Sequence, residues 1–187
     1  MIWITPDVNY SVAVHADKWI PILPATDAAL GLAIAYVWIT EGTYEKEYVY
    51  THGYGFDEFK KYVLGEEDGV PKTPEWAEQI TGVPARIIKA LAREWASKRT
   101  AVYIGTLGGP TIRGPYTTEY ARIVVLLMAM QGLGKPGVRF LAMGLPQPKS
   151  VWTPPPFIPF VEPPLPLGAP QMIPRTLVPE AIIHPPI

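Results

Sequence analysis

A carboxylate in the first turn of a helix, just past a strand-like run, is the group in this chain best placed to hold a polar ligand. The apolar run 19–23 ends at Pro24, Thr26 and Asp27 supply a helix start, and apolar residues then follow without a break. Backbone N–H groups in such a turn lack partners within the helix, and the helix dipole is positive there. A carboxylate in that position can accept both the N1–H and the 2-amino group of a guanine edge, a bidentate match. The plain alternative is an ordinary helix cap with no ligand. A second candidate is the glycine-rich segment 105–114, in which Gly105, Gly108 and Gly109 would let the backbone approach a pyrophosphate closely. Pro110 removes one donor there, and a simple strand–loop–helix connection is the competing reading. A third is the turn 132–137, where Lys135 would face a phosphate or, more simply, stand in water beside a helix C-cap.

Conventional catalytic sets are poorly supplied. His15, His52 and His184 are far apart and share no metal-ligand spacing. There is no cysteine, which excludes disulfides, a thiolate nucleophile and cysteine-held zinc or iron–sulfur clusters, and there is no Gly-x-Ser-x-Gly elbow. The carboxylates Glu45, Glu47, Asp57, Glu58, Glu66, Glu67 and Asp68 read as a solvated surface. Trp38, Trp76 and Trp95 fall within helices and read as core. A net charge of −1 argues against a nucleic-acid partner. The longest apolar helix candidate, 28–39, is too short to cross a bilayer, and the N-terminus has no secretory pattern, so a cytoplasmic protein with no membrane partner is expected.

The elements that must position these groups alternate between strand and helix. Residues 1–4 read as a short buried strand, 10–16 as a helix and 19–23 as a second strand. A strand at the first residue is odd for a parallel sheet, whose strands have neighbours on both sides, and suggests that preceding sequence is missing. The segment 28–41 reads as a helix apolar nearly all round, ended by Gly42 at a C′ position. Shorter helices follow at 45–51 and 56–64, then one opened by Thr73 as N-cap and Pro74 at its first position, then 85–98. Residues 101–104 read as a third strand, 105–115 as a loop and 116–131 as a long helix. The pattern predicts an α/β fold, a Rossmann-like three-layer unit with a short parallel sheet flanked by helices over 1–145. Of 23 prolines, fourteen lie from Pro146 onward. Residues 146–187 are therefore expected to form an irregular Pro-rich tail without long helices or central strands.

The wording of several of these segments resembles the large molybdopterin enzymes of the DMSO reductase family. The residues that carry the resemblance are Ala16-Asp17-Lys18-Trp19 running on to Pro24-Ala25-Thr26-Asp27, then Glu41-Gly42-Thr43-Tyr44-Glu45. They continue with 51–59, 73–85, 87–96 and the closing Gly132-Leu133-Gly134-Lys135-Pro136-Gly137. Within the family, 63–77 and 128–137 are most similar to the large subunits of pyrogallol–phloroglucinol transhydroxylases. The resemblance implies an incomplete segment that binds molybdopterin guanine dinucleotide, in a parent enzyme of hydroxyl transfer or oxidoreduction. Asp27 with Thr26 would recognise the guanine, Gly105, Gly108 and Gly109 would line the route of the dinucleotide, and Lys135 would face a phosphate. It implies as partners the remainder of the large subunit and an iron–sulfur subunit, with no molybdenum held and no catalysis by this segment alone. The competing reading is a non-enzymatic binding or assembly module that docks through its Pro-rich tail. Two positions depart from the family pattern: Thr5 stands where Asp precedes Pro, and Ala25 stands where glycine precedes Thr-Asp.

Overall fold

The computed structural model of the chain describes residues 1–106, 117–143 and 182–183. The loop with Gly108 and Gly109, and the Pro-rich tail apart from Ile182 and Ile183, lie outside the described residues. Strand β1, Ile2–Ile4, is joined by helix α1, Tyr10–His15, to strand β2, Lys18–Ile20. The two strands pair in parallel, with Trp3 opposite Trp19. Asn9 caps α1 by accepting a hydrogen bond from the Val12 N–H at 3.1 Å. Strand β2 stops at Ile20 rather than running to residue 23, because Pro21 has no N–H to continue a ladder. The Leu23 N–H instead bonds to the Thr81 carbonyl at 2.9 Å.

Helix α2, Asp27–Glu41, is the centre of the fold. It ends at Gly42, whose φ of 67° is the left-handed cap expected of glycine. Around it stand α3 (Lys46–His52), α4 (Phe56–Leu64), α5 (Pro74–Thr81), α6 (Ala85–Ala96) and α7 (Thr117–Met130). Helix α2 packs against α4, α5, α6 and α7. That explains a sequence with no polar face: Leu30, Ala33, Ile34, Val37 and Trp38 are all buried. Gly31 marks the tightest crossing, since a Cβ there would stand 2.7 Å from Cγ1 of Ile123 on α7. The Thr73 hydroxyl caps α5 as the sequence predicts, accepting from the Trp76 N–H at 3.1 Å.

Strand β3, Ala101–Thr106, leads through α7 to strand β4, Arg139–Met143, and these two also pair in parallel. The α/β class and the parallel pairing agree with the sequence reading, but three details differ. Among the described residues the strands form two separate parallel pairs, β1–β2 and β3–β4, instead of one short sheet. Gly105 lies inside β3 rather than opening a loop. Strand β4 is additional: its five residues follow a glycine-rich turn directly and gain strand character only from pairing with β3. No described helix is long and apolar enough to cross a membrane.

Candidate functional site

Where strand β2 gives way to α2, the backbone turns at Ala25, which has φ of 63°. Among the described residues it is the sole non-glycine with positive φ, a conformation that costs an L-residue on the order of 1–2 kcal/mol. The turn is held by Thr26, whose hydroxyl donates to the Leu23 carbonyl at 2.7 Å. Its side chain makes no capping bond to the helix, and its carbonyl takes the Ala29 N–H at 3.0 Å. Asp27 is the first helical residue and is half-buried.

Asp27 opens onto a cavity of about 680 Å³. Its walls come from β1, β3, α2, α6 and α7, and its body is apolar, with Leu30, Ile34, Leu91, Ile123, Val124 and Leu127. Its polar lining includes Thr5, Asp27 and Tyr120, the last two close enough for the Asp27 charge to act on the phenol. Burial pushes the Asp27 carboxyl above its usual range, and only its own backbone N–H counters that. No cation pairs with it among the described residues. Tyr120, in the first turn of α7, is pushed up to about 12, first by burial and then by the Asp27 charge. The two helix starts therefore present one carboxylate and one phenol to a shared space. That is an acceptor-rich mouth over an apolar chamber. It fits a planar ligand with adjacent N–H donors.

The other sequence candidates are placed elsewhere. Thr26 flanks Asp27 without lining the cavity, and Gly105 sits near the end of β3. Lys135 lies beyond the C-terminus of α7 and pairs with Glu45 at 2.9 Å. The end of α7 at Met130 is about 15 Å from Tyr120 by helix rise, and Lys135, beyond it, is not among the residues lining the cavity. Tyr120 is the residue that sequence reasoning missed; on a long apolar helix it carries no local signal. Trp95 packs half-buried against the core as expected and also lines the cavity, its indole N–H donating to Gln131 at 2.7 Å. Trp38 is core as expected. Among the described residues no cluster of three His, Asp or Glu side chains is arranged to hold a metal.

A parallel α/β arrangement with its polar mouth at the starts of the helices that follow the strands defines a ligand-binding class of fold. The stretch bearing these elements belongs to the molybdopterin DMSO reductase family. It is 49% identical over 138 residues to the pyrogallol hydroxytransferase large subunit of Pelobacter acidigallici, a match covering 73% of this chain and 16% of that protein. It is 40% identical over 163 residues to the dimethyl sulfoxide reductase DmsA of Escherichia coli, covering 78% of this chain and 20% of the relative. In structure it matches acetylene hydratase from Pelobacter acetylenicus with a TM-score of 0.62 at 30% identity, over 73% of this chain and 18% of that one. The chain thus spans about a fifth or less of the length of these relatives. No model of a protein family matches it.

Proposed function

We propose that this chain is a cofactor-binding segment of a molybdopterin-dependent hydroxytransferase or oxidoreductase, with a Rossmann-like parent domain, and that Asp27 reads the guanine of a molybdopterin guanine dinucleotide. The observation that carries this reading is the half-buried Asp27 carboxylate at the start of α2, which has no cation partner among the described residues and faces a large cavity. Its two oxygens accept the guanine N1–H and 2-amino group. Tyr120 faces the same space and Thr26 holds the turn that aims Asp27. Gly105, near the end of β3, and Gly108 and Gly109, which follow it in sequence, would line the route of the dinucleotide. When bound, that group supplies the molybdenum centre at which the parent chemistry occurs. The residues of this chain bind and orient it. The remainder of a large subunit, and an iron–sulfur subunit beside it, are the partners this role requires.

The test is calorimetric titration of the chain with GMP, GDP and AMP. Selective binding of the guanine nucleotides is expected, with loss of about 1–3 kcal/mol in Asp27→Asn, because an amide presents a donor where the guanine edge offers only donors. Equal binding of GMP and AMP would refute the assignment.

A further inference from the structure

The link between β2 and α2 is tied to the rest of the fold at one backbone atom. Pro21 and Pro24 have no N–H. Among the described residues, the Leu23 N–H is the one donor of 21–25 that reaches another element, the Thr81 carbonyl at 2.9 Å. From Leu23 the chain closes a β-turn. The Leu23 carbonyl accepts from the Thr26 N–H at 3.3 Å and from the Thr26 hydroxyl at 2.7 Å, with Pro24 second and Ala25 third in the turn. Proline followed by a residue of positive φ is the type II pattern, whose third position favours glycine. Ala25 fills it with φ of 63°. Such a conformation persists only where its surroundings hold it. Both bonds inside the turn come from Thr26, so the hold from outside falls to Thr81.

Thr81 has the geometry for that hold. It is the last residue of α5, where a helix leaves its final carbonyls without partners of its own. It is fully buried, and its hydroxyl donates to the Ala77 carbonyl at 2.7 Å while accepting from the Val83 N–H at 3.1 Å. Those two bonds keep the helix end from fraying and fix the direction of the outward carbonyl. Gly82 completes the fit. Its φ of 71° ends α5, and a Cβ there would meet Cγ of Leu23 at 3.5 Å, so the Leu23 side chain lies against it. Helix α5 is itself packed on α2, so its end braces the entry to the helix it lies on.

We propose that Thr81 is a positioning residue for Asp27: by holding Leu23 at the head of the Pro24–Ala25 turn, it sets how deep the Asp27 carboxylate sits and which way it enters the cavity. Asp27 follows the turn directly as the first residue of α2, so its direction is that of the chain leaving Ala25 and Thr26. Pro24, Ala25 and Asp27 line the cavity, and Thr81 does not. Thr81 therefore acts through Leu23 and Thr26 and touches no ligand. What Asp27 is positioned for rests on the guanine reading above; that Thr81 positions it does not.

The experiment follows the Asp27 carboxyl of the full chain by carbon NMR, with Asp27→Asn to assign its signal, and the Leu23 amide by hydrogen exchange. In the unaltered chain the carboxyl is expected to titrate above the usual range, as its burial requires, and the Leu23 amide to be protected. Thr81→Val keeps the branched shape without the hydroxyl. It is expected to speed exchange at Leu23 at least about tenfold and to move the Asp27 titration down towards the usual carboxylate range. Thr81→Ser keeps the hydroxyl and is expected to leave both as they were. Leu23→Pro deletes the same bond from an exposed residue outside every helix and strand, so it decides the matter if Thr81→Val does not fold. It should lower the Asp27 titration in the same way while the Ile88 and Leu91 amides stay protected. An Asp27 titration that stays put in Leu23→Pro or in folded Thr81→Val overturns the proposal, and so does one that moves as far in Thr81→Ser. Calorimetry is scored apart. Both Leu23→Pro and Thr81→Val are expected to bind GMP about tenfold more weakly. Equal binding of GMP and AMP by the unaltered chain would remove the guanine reading and leave the carboxyl titration to judge Thr81.

Discussion

The two sides of α2 obey different rules. Toward α4, α5 and α6 every buried polar group has a partner. Trp38 is fully buried, yet its indole N–H donates to the Ala92 carbonyl at 2.7 Å and its ring meets Trp95 edge-on at 5.4 Å. Lys72 is 2% exposed, and its ammonium is held by Asp68, by the Val70 carbonyl and by the Tyr62 ring at 4.4 Å. Toward β1 and β3 the pattern reverses. Among the described residues Asp27 has no cation and the Trp3 indole N–H has no acceptor, Ala25 carries backbone strain, and a cavity of about 680 Å³ lies between them. Leaving a buried polar group unmade costs about 1–3 kcal/mol, so a chain that satisfies one side so fully marks the other as a surface completed by something else.

Substitutions on the two sides should therefore differ in sign. The largest effect is expected from Trp38→Ala, which empties the closed side and should destabilise the chain by about 3–5 kcal/mol in urea unfolding. A loss under about 1 kcal/mol would mean that this side is not closed. Asp27→Asn on the open side should instead stabilise the chain at pH 7, by up to about 1 kcal/mol. Burial raises the folded-state pKa of Asp27, so its favourable contribution is complete below the unfolded value near 3.9 and disappears as pH rises through the raised value. The gain from the variant should accordingly vanish below about pH 4, and a pH-independent gain would remove desolvation as its cause. The smallest effect is expected from Ala25→Gly, which relieves the left-handed strain but loosens the unfolded chain. A net gain of about 0.5 kcal/mol should appear as a small rise in Tm.

What the sequence revealed follows the range of its signals. Helix α2, the Thr73 cap and the Gly42 stop depend on neighbours within a turn or two, and they are legible from composition and cap chemistry alone. Asp27 was legible for the same reason, as a carboxylate at a helix start. Strand β4 and the division into two strand pairs depend on partners far along the chain, and no local pattern encodes them. The strain at Ala25 was visible only as a departure from a family glycine; its physical reason, a positive φ, needed coordinates. Tyr120 joins the site because α7 starts where α2 starts, a coincidence of tertiary placement.

The burial of α2 on every side also sets a schedule. Its core partners arrive in order, Val63, then Ala77, then Ile88 and Leu91, and finally Leu127. A ribosome adds about 5–20 residues per second, so the finished helix precedes its last partner by several seconds. Throughout that interval an apolar cylinder has no polar flank to turn toward water. Trp38 in particular waits for the Ala92 carbonyl that satisfies its indole. The protein is thus most exposed to misassembly while it is being made, and the yield of folded chain is governed by how soon α6 and α7 emerge to cover α2.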